Sequence, residues 1–188
     1  VVNDLMVFSS AIFLFLFLPL TLTLYFLTGK KRRNLFLLFA SLIFYAWGEG
    51  SYLLILLISI FINYSFGLLI DHHRGSNQSS VFLAGAVVLN LGLLALFKYT
   101  NFLVANLNSI LAIFGSGPLY LAPVHLPIGL SFFTFQALSY VIDVYKQKTT
   151  VQRNFIDLGA YISLFPQRMA GPIVRFAHIA KEMVTRTV

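Results

Sequence analysis

A chain of 188 residues that is 59% hydrophobic and only 10% charged cannot cover a water-facing surface, since a soluble domain carries about 25% charged residues. Its net charge of +7 lies in short clusters between apolar runs, the pattern of loops on one face of a membrane and not of a nucleic-acid footprint. It has no cysteine, which excludes disulfides, Cys-zinc sites and thiol nucleophiles.

The first five residues do not look like a natural start. The apolar pattern begins at Met6-Val7-Phe8, so Met6 is the expected initiator and residues 1–5 are expected to be upstream additions. Val7 to Leu27 is uncharged and long enough to cross ~30 Å of hydrocarbon. It has no basic residue before it and no small-residue cleavage signal after it, so it reads as a retained span and not a removed leader. Pro19 inside it predicts a kink. Lys30-Lys31-Arg32-Arg33 follows at once, which argues for a cytoplasmic end and an outside N-terminus, with anionic-lipid contact a compatible reading.

Asn34 to Trp47 is a short second run closed by the interfacial aromatics Tyr45 and Trp47, and Gly48-Glu49-Gly50 makes a turn. Tyr52 to Ile70 is a third span. Its Ser59, Asn63 and Gly67, spaced i, i+4, i+8, form a small and polar stripe suited to packing against a neighbouring helix. The polar stretch from Asp71-His72-His73-Arg74 to Ser80 is a loop, and one His-His pair is a weak metal signal without further ligands. Val81 to Phe97 is the fourth span. Asn101 to Phe114 places Leu103, Leu107, Ile110 and Phe114 on one face and Asn101, Asn108 and Ser109 opposite, which predicts an amphipathic helix lying along the interface.

Ile128 to Tyr145 is the fifth span. Gln136, Ser139, Tyr140 and Asp143 form one stripe on it at i, i+3, i+4, i+7. Such a stripe can line a polar path, or Asp143 can simply reach water at the span end. Lys146, Lys148 and Arg153 make a second basic loop. Phe155 to Phe165 then leads into an elbow, because Pro166 lacks a backbone donor and disfavours helix before it, while Gly171-Pro172 suits the start of a new helix. Irregular backbone at membrane depth survives only where it is buried in protein or lines a watery cavity, so the elbow is either the wall of a polar path or a plain surface loop. A second surface-lying helix is expected near 172–184, with Ile173, Phe176, Ala177 and Ala180 on its apolar face. The charge distribution agrees with five alternating spans: Asp4, Glu49 and Lys98 fall outside and nearly all the basic excess falls inside. The expected architecture is therefore all-α and multi-pass, a single membrane domain over 1–188 with five spans, a broken sixth segment and interfacial amphipathic helices.

A set of phrases in fixed order resembles one family: Arg33-Asn34-Leu35, Phe44-Tyr45-Ala46-Trp47, Phe97-Lys98-Tyr99-Thr100-Asn101-Phe102, Leu126-Pro127-Ile128-Gly129-Leu130-Ser131-Phe132-Phe133-Thr134-Phe135-Gln136, Tyr140-Val141-Ile142-Asp143-Val144-Tyr145, Phe165-Pro166-Gln167 and Ala170-Gly171-Pro172-Ile173-Val174-Arg175. Together they resemble the membrane-bound O-acyltransferases, in the branch of bacterial alginate O-acetylation and teichoic-acid D-alanylation membrane proteins. The resemblance implies passage of an acyl group, here acetyl, across the cytoplasmic membrane to an extracellular polysaccharide such as alginate. It implies acetyl-CoA or another acyl thioester as donor from the cytoplasmic side, no bound cofactor, and extracytoplasmic polysaccharide-modifying partner proteins. Family members are much longer, so the chain is expected to be an N-terminal portion. The family's key histidine lies beyond it; His72, His73, His125 and His178 do not match, and no catalytic residue is assigned. Arg168 stands where the family has an apolar residue.

Pro166, Gln167, Gly171, Pro172 and Arg175 are the candidate donor-path residues. A helix start at Gly171-Pro172 carries partial positive charge, and Arg175 adds a full one beside it, a combination that attracts the phosphates of a thioester donor. Arg175 reaching lipid headgroups is the alternative. Two other classes remain open on the sequence, a fragment of a transporter or channel and a small helical membrane scaffold.

Overall fold

The structure, a computed structural model, describes residues 10–164 and Phe176. Six α-helices carry the fold: α1 (Leu18–Leu27), α2 (Arg33–Glu49), α3 (Leu53–His72), α4 (Asn77–Ile113), α5 (Leu130–Tyr145) and α6 (Phe155–Ser163). No strand occurs among the described residues, so the all-α class is as expected. Two stretches, Arg33–His72 and Asn77–Ile113, are long and apolar enough to cross a membrane. Large apolar side chains face outward on the N-terminal helical stretch and on α4 alike, for example Phe15 and Leu27 at 81% and 77% exposure and Val81 at 68%, a surface stable only against lipid or more protein.

Local chemistry explains most boundaries. A π-helical turn at Phe13–Phe17 leads into α1, with Leu18 N–H bonded to the Phe13 carbonyl. The extra residue in that turn absorbs the missing donor and ring clash of Pro19, which sits in the first turn of α1. Arg33, at the start of α2, donates from Nε to the Thr28 carbonyl at 3.3 Å and lays its guanidinium over the Tyr25 ring at 5.0 Å. Gly50 ends α2 with φ +51. The Asn154 side chain caps α6 by accepting from Ile156 N–H at 2.9 Å. At the end of α5, Gln147 takes the left-handed position usually given to glycine, with φ 56. Gln147 N–H bonds Val144 O and Lys148 N–H bonds Asp143 O, which closes the last turn.

The helix α4 departs from expectation. The predicted fourth span and the predicted interfacial helix near 101–114 are one continuous helix of 37 residues, about 55 Å long by helical rise. No glycine or proline interrupts the stretch from 93 to 114, so nothing breaks the ladder until Gly115. There φ turns to +68, Ser116 N–H bonds Leu111 O and Gly115 N–H bonds Ala112 O. The asparagines of the amphipathic pattern hold a returning segment. Asn101 both donates to Val124 O and accepts from Val124 N–H, at 2.7 and 2.8 Å, and Asn108 does the same to Leu119 at 3.1 and 2.8 Å.

The helix α3 is the hub, packing against α4, α5 and α6. Its Ser59-Asn63-Gly67 stripe faces neighbours as the spacing predicted. Asn63 and Asn90 of α4 exchange amide hydrogen bonds at 3.0 and 2.9 Å, fully buried. Gly67 lies beneath the Tyr140 ring of α5, where an added Cβ would stand 2.7 Å from the phenol oxygen. The helix α6 wedges between α2 and α3, with Gly159 against Leu38 and Ile60.

The basic segments gather at one end of this bundle. Asn34 at the start of α2 donates to Asp157 of α6 at 2.9 Å. Asp71 at the end of α3 pairs with Arg74 at 2.7 Å and with Arg153 of the second basic loop at 3.9 Å, and Tyr64 donates to Arg153 O at 2.7 Å. Glu49 and His125 meet at the opposite end.

Candidate functional site: the polar stripe of α5

The elements that aim α5 begin at Glu49. Its carboxylate is nearly buried, accepts from Ile128 N–H at 2.8 Å through Oε1, and meets His125 Nε2 at 3.1 Å through Oε2. The His125 ring also lies against Tyr52, centroids 5.2 Å apart. Sequence reasoning saw Glu49 only as a turn residue. In the fold it clasps the end of α2 to the start of α5, and no local signal marks a contact between residues almost eighty positions apart. Gly129 then starts α5 from a left-handed conformation, φ 79.

The four stripe residues divide between two surroundings. At roughly 100° per residue, Ser139 and Tyr140 form the two edges of the stripe, with Gln136 and Asp143 between them. Tyr140 is fully buried against α3; its hydroxyl accepts from Gln152 N–H at 3.1 Å. Gln136 is buried and donates to Tyr161 O of α6 at 2.8 Å. Phe176 seats its ring between Tyr140 and Tyr161, with centroids 5.1 Å from each. That ring is 2% exposed, so Phe176, expected on the apolar face of a surface-lying helix, belongs to the core. Aromatic pairs in this edge-to-face arrangement stabilise beyond their area, and here they tie Phe176 to α5 and α6.

Ser139 and Asp143 lie on the other side. Both line a cavity of about 610 Å³ between α4 and α5, with Lys146 and Lys148 lining it at the end where α5 stops. Its walls are apolar, with Val87 and Leu91 from α4 facing Phe135, Leu138 and Ile142 from α5. Asp143 is 4% exposed, and its Oδ2 has no hydrogen-bond partner. Thr134 Oγ1 on α5 and Ser163 Oγ at the end of α6 are likewise buried without partners. A fixed carboxylate held in a half-apolar groove can accept strong hydrogen bonds from a cation or a hydroxyl.

The elbow candidates Pro166, Gln167, Gly171, Pro172 and Arg175, together with Arg168 and His178, lie outside the described residues, as do residues 1–9. The helix α6 stops at Ser163 after nine residues, about 14 Å, and Leu164 leaves helical backbone with ψ 110. A second cavity, of about 500 Å³, lies at the basic end beside Tyr64, Asp71, His72 and Arg153. The His72 and His73 rings are 4.9 Å apart, but His73 Nδ1 is engaged with Leu69 O at 2.9 Å and its ring lies on Phe82. No group of three metal-ligating residues is found among the described residues.

Comparison with known proteins gives this geometry its context. No family model matches the chain, and no solved structure matches it. It is 44% identical over 183 residues to "Probable alginate O-acetylase AlgI" of Pseudomonas aeruginosa, which covers 97% of this chain and 35% of that protein. The protein of the same description from Azotobacter vinelandii is also 44% identical over 183 residues, covering 97% and 37%. A "Peptidoglycan O-acetyltransferase" of Helicobacter pylori is 31% identical over 205 aligned positions, covering 93% and 38%. The chain thus spans little more than a third of the length of these relatives, and over 97% of its own length it is related to the alginate O-acetylases, as its resemblance to the membrane-bound O-acyltransferases implied.

Proposed function

We propose that the protein is a membrane O-acyltransferase that transfers an acetyl group to an extracellular polysaccharide such as alginate, and that these residues form part of its membrane domain. The observation that carries this reading is 44% identity over 97% of the chain to a protein described as an alginate O-acetylase. In this reading the bundle crosses a bacterial cytoplasmic membrane five times, with a broken sixth segment after α6. The N-terminus is outside and the basic end of the bundle faces the cytoplasm. External thiol labelling of Lys31→Cys and Lys148→Cys in intact cells should fail; ready labelling would invert the orientation.

The donor, acetyl-CoA or another acyl thioester, enters from the basic end. Pro166, Gln167, Gly171, Pro172 and Arg175 border that entrance or steady its wall, and extracytoplasmic partner proteins receive the group on the far side. The 188 residues by themselves are expected to be inactive, for want of a positioned base among the described residues. General acid–base work needs a positioned group such as histidine, whereas His72, His73 and His125 stand at the two ends of the bundle. The test is complementation of a strain lacking its alginate O-acetylase with the protein at natural length, reading acetyl groups on the secreted polymer. Restoration is expected, and the 188-residue chain should restore nothing. Arg175→Ala should weaken donor use more than Arg175→Lys, because lysine keeps the charge but loses bidentate phosphate contact. Full complementation by both variants would leave Arg175 as a headgroup contact, and absence of acetylation by the natural chain would overturn the function.

A further inference from the structure

The groove between α4 and α5 is amphipathic. One end is polar and its length is apolar. Lys146, Lys148 and Asp143 line it at the end where α5 stops, and Phe135 stands eleven residues, about 16 Å, further along the helix. On the facing wall Val87 lies ten residues, about 15 Å, into α4 from the same end of the bundle. The groove therefore runs from the level of the basic loops to about the middle of a ~30 Å hydrocarbon slab, the depth of one leaflet. An occupant that matches it carries its charges at one end and a hydrocarbon chain behind them, which describes a phospholipid standing in that leaflet.

The charges at that end select among phospholipids. Two lysines suit a phosphodiester, which any phospholipid supplies. Asp143 is a different matter, a carboxylate on the groove wall that is 4% exposed, its Oδ2 enclosed and lacking a partner. A buried unpaired carboxylate is costly, and an anionic lipid would set a second negative charge beside it. A primary ammonium brings both the opposite charge and three N–H donors. A quaternary ammonium brings the charge without the donors. We infer that the α4–α5 groove binds one amine-bearing phospholipid, of the phosphatidylethanolamine kind, with the phosphate at Lys146 and Lys148, the ammonium at Asp143 and an acyl chain between Val87, Leu91 and Ile142. The inference needs the bundle to sit in a bilayer and does not depend on acyl transfer.

The natural-length protein, reconstituted in nanodiscs of equal parts phosphatidylethanolamine, phosphatidylglycerol and phosphatidylcholine and then stripped with detergent, is analysed by native mass spectrometry. One phosphatidylethanolamine should be retained, in about tenfold preference over each of the others, the worth of one charge-assisted hydrogen bond. Asp143→Asn removes the charge at nearly constant shape and should bring the three lipids to near parity. Leu91→Trp fills the groove and should abolish retention of all three; should it fail to fold, Val87→Phe on the same wall carries this arm. Equal retention by the unaltered protein, preference for phosphatidylglycerol, an unchanged preference in Asp143→Asn, or retention by the filled variants would each overturn the assignment.

Discussion

Replacing Asn63 by Leu should destabilise the bundle by about 2 kcal/mol, and replacing Asn63 and Asn90 together should cost less than either change alone. The two amides exchange hydrogen bonds at 3.0 and 2.9 Å, while each also donates its second N–H to its own helix, Asn63 to Ser59 O and Asn90 to Ala86 O, both at 2.8 Å. Every amide proton is thus satisfied in a place water does not reach. Leu at one position keeps the volume but strands a carbonyl and an N–H of the partner, and such an orphaned group costs about 1–3 kcal/mol. Interhelical polar contacts in membrane proteins average about 0.6 kcal/mol in net worth, so the pair itself contributes little more than its removal would expose. The double variant leaves no orphan and lets two leucines pack between α3 and α4. Unfolding in mixed micelles for the two single variants and the double measures the coupling. Additive losses would mean that the amides act independently and that the reciprocal pair is not what joins these helices.

The second large effect is expected at Gly67. An alanine Cβ there would stand 2.7 Å from the Tyr140 phenol oxygen, 2.9 Å from Cε1 and 3.1 Å from Cζ. Helix propensity favours Ala over Gly by about 1 kcal/mol, but overpacking a filled core costs about 1–3 kcal/mol. Tyr140 is fully buried and its ring is flanked by Phe176, so it has nowhere to swing. Packing should win for Gly67→Ala by up to about 2 kcal/mol, and Gly67→Leu should not fold. Moving the ring also draws its hydroxyl away from Gln152 N–H, so the 146–154 loop of Gly67→Ala should be cut faster by protease. Tyr140→Phe in the alanine background removes the 2.7 Å contact and leaves the one at 2.9 Å, so it should restore only part of the loss. Gly67→Ala matching the parent in thermal stability and loop protection would show that the helices part at no cost.

Much of this could be read from local sequence. Apolar run length marked the helices, Gly48-Glu49-Gly50 and Gly115 marked two ends, and the Ser59-Asn63-Gly67 spacing pointed to a packed helix face. The ordered phrases pointed to the acyltransferase family over nearly the whole chain. Three readings went differently for one shared reason. The pattern of Asn101 and Asn108 predicts the polar face of a helix lying along the interface, yet those amides bind the backbone of a segment that returns along α4. Glu49 was read as a turn residue and is a clasp on Ile128 and His125. Phe176 is expected on the apolar face of a surface-lying helix and is buried between two tyrosines. In each case the partner lies elsewhere along the chain, and a local pattern records a polarity without naming what meets it.

The division between sequence and fold is clearest on α5. The sequence alone determined that this is a helical membrane protein, because no arrangement of so few charges can cover it in water, and that Gln136, Ser139, Tyr140 and Asp143 share one stripe. Only the tertiary structure decided what each does. Tyr140 and Gln136 are taken up by α3, α6 and the loop at Gln152, while Ser139 and Asp143 face the groove against α4. A helical period specifies the direction in which a side chain leaves its helix to within a fraction of a turn. Which neighbour waits there depends on how α3, α4 and α6 are packed around it, and that is set by the buried Asn63–Asn90 pair, the flat face at Gly67 and the Glu49 clasp acting together.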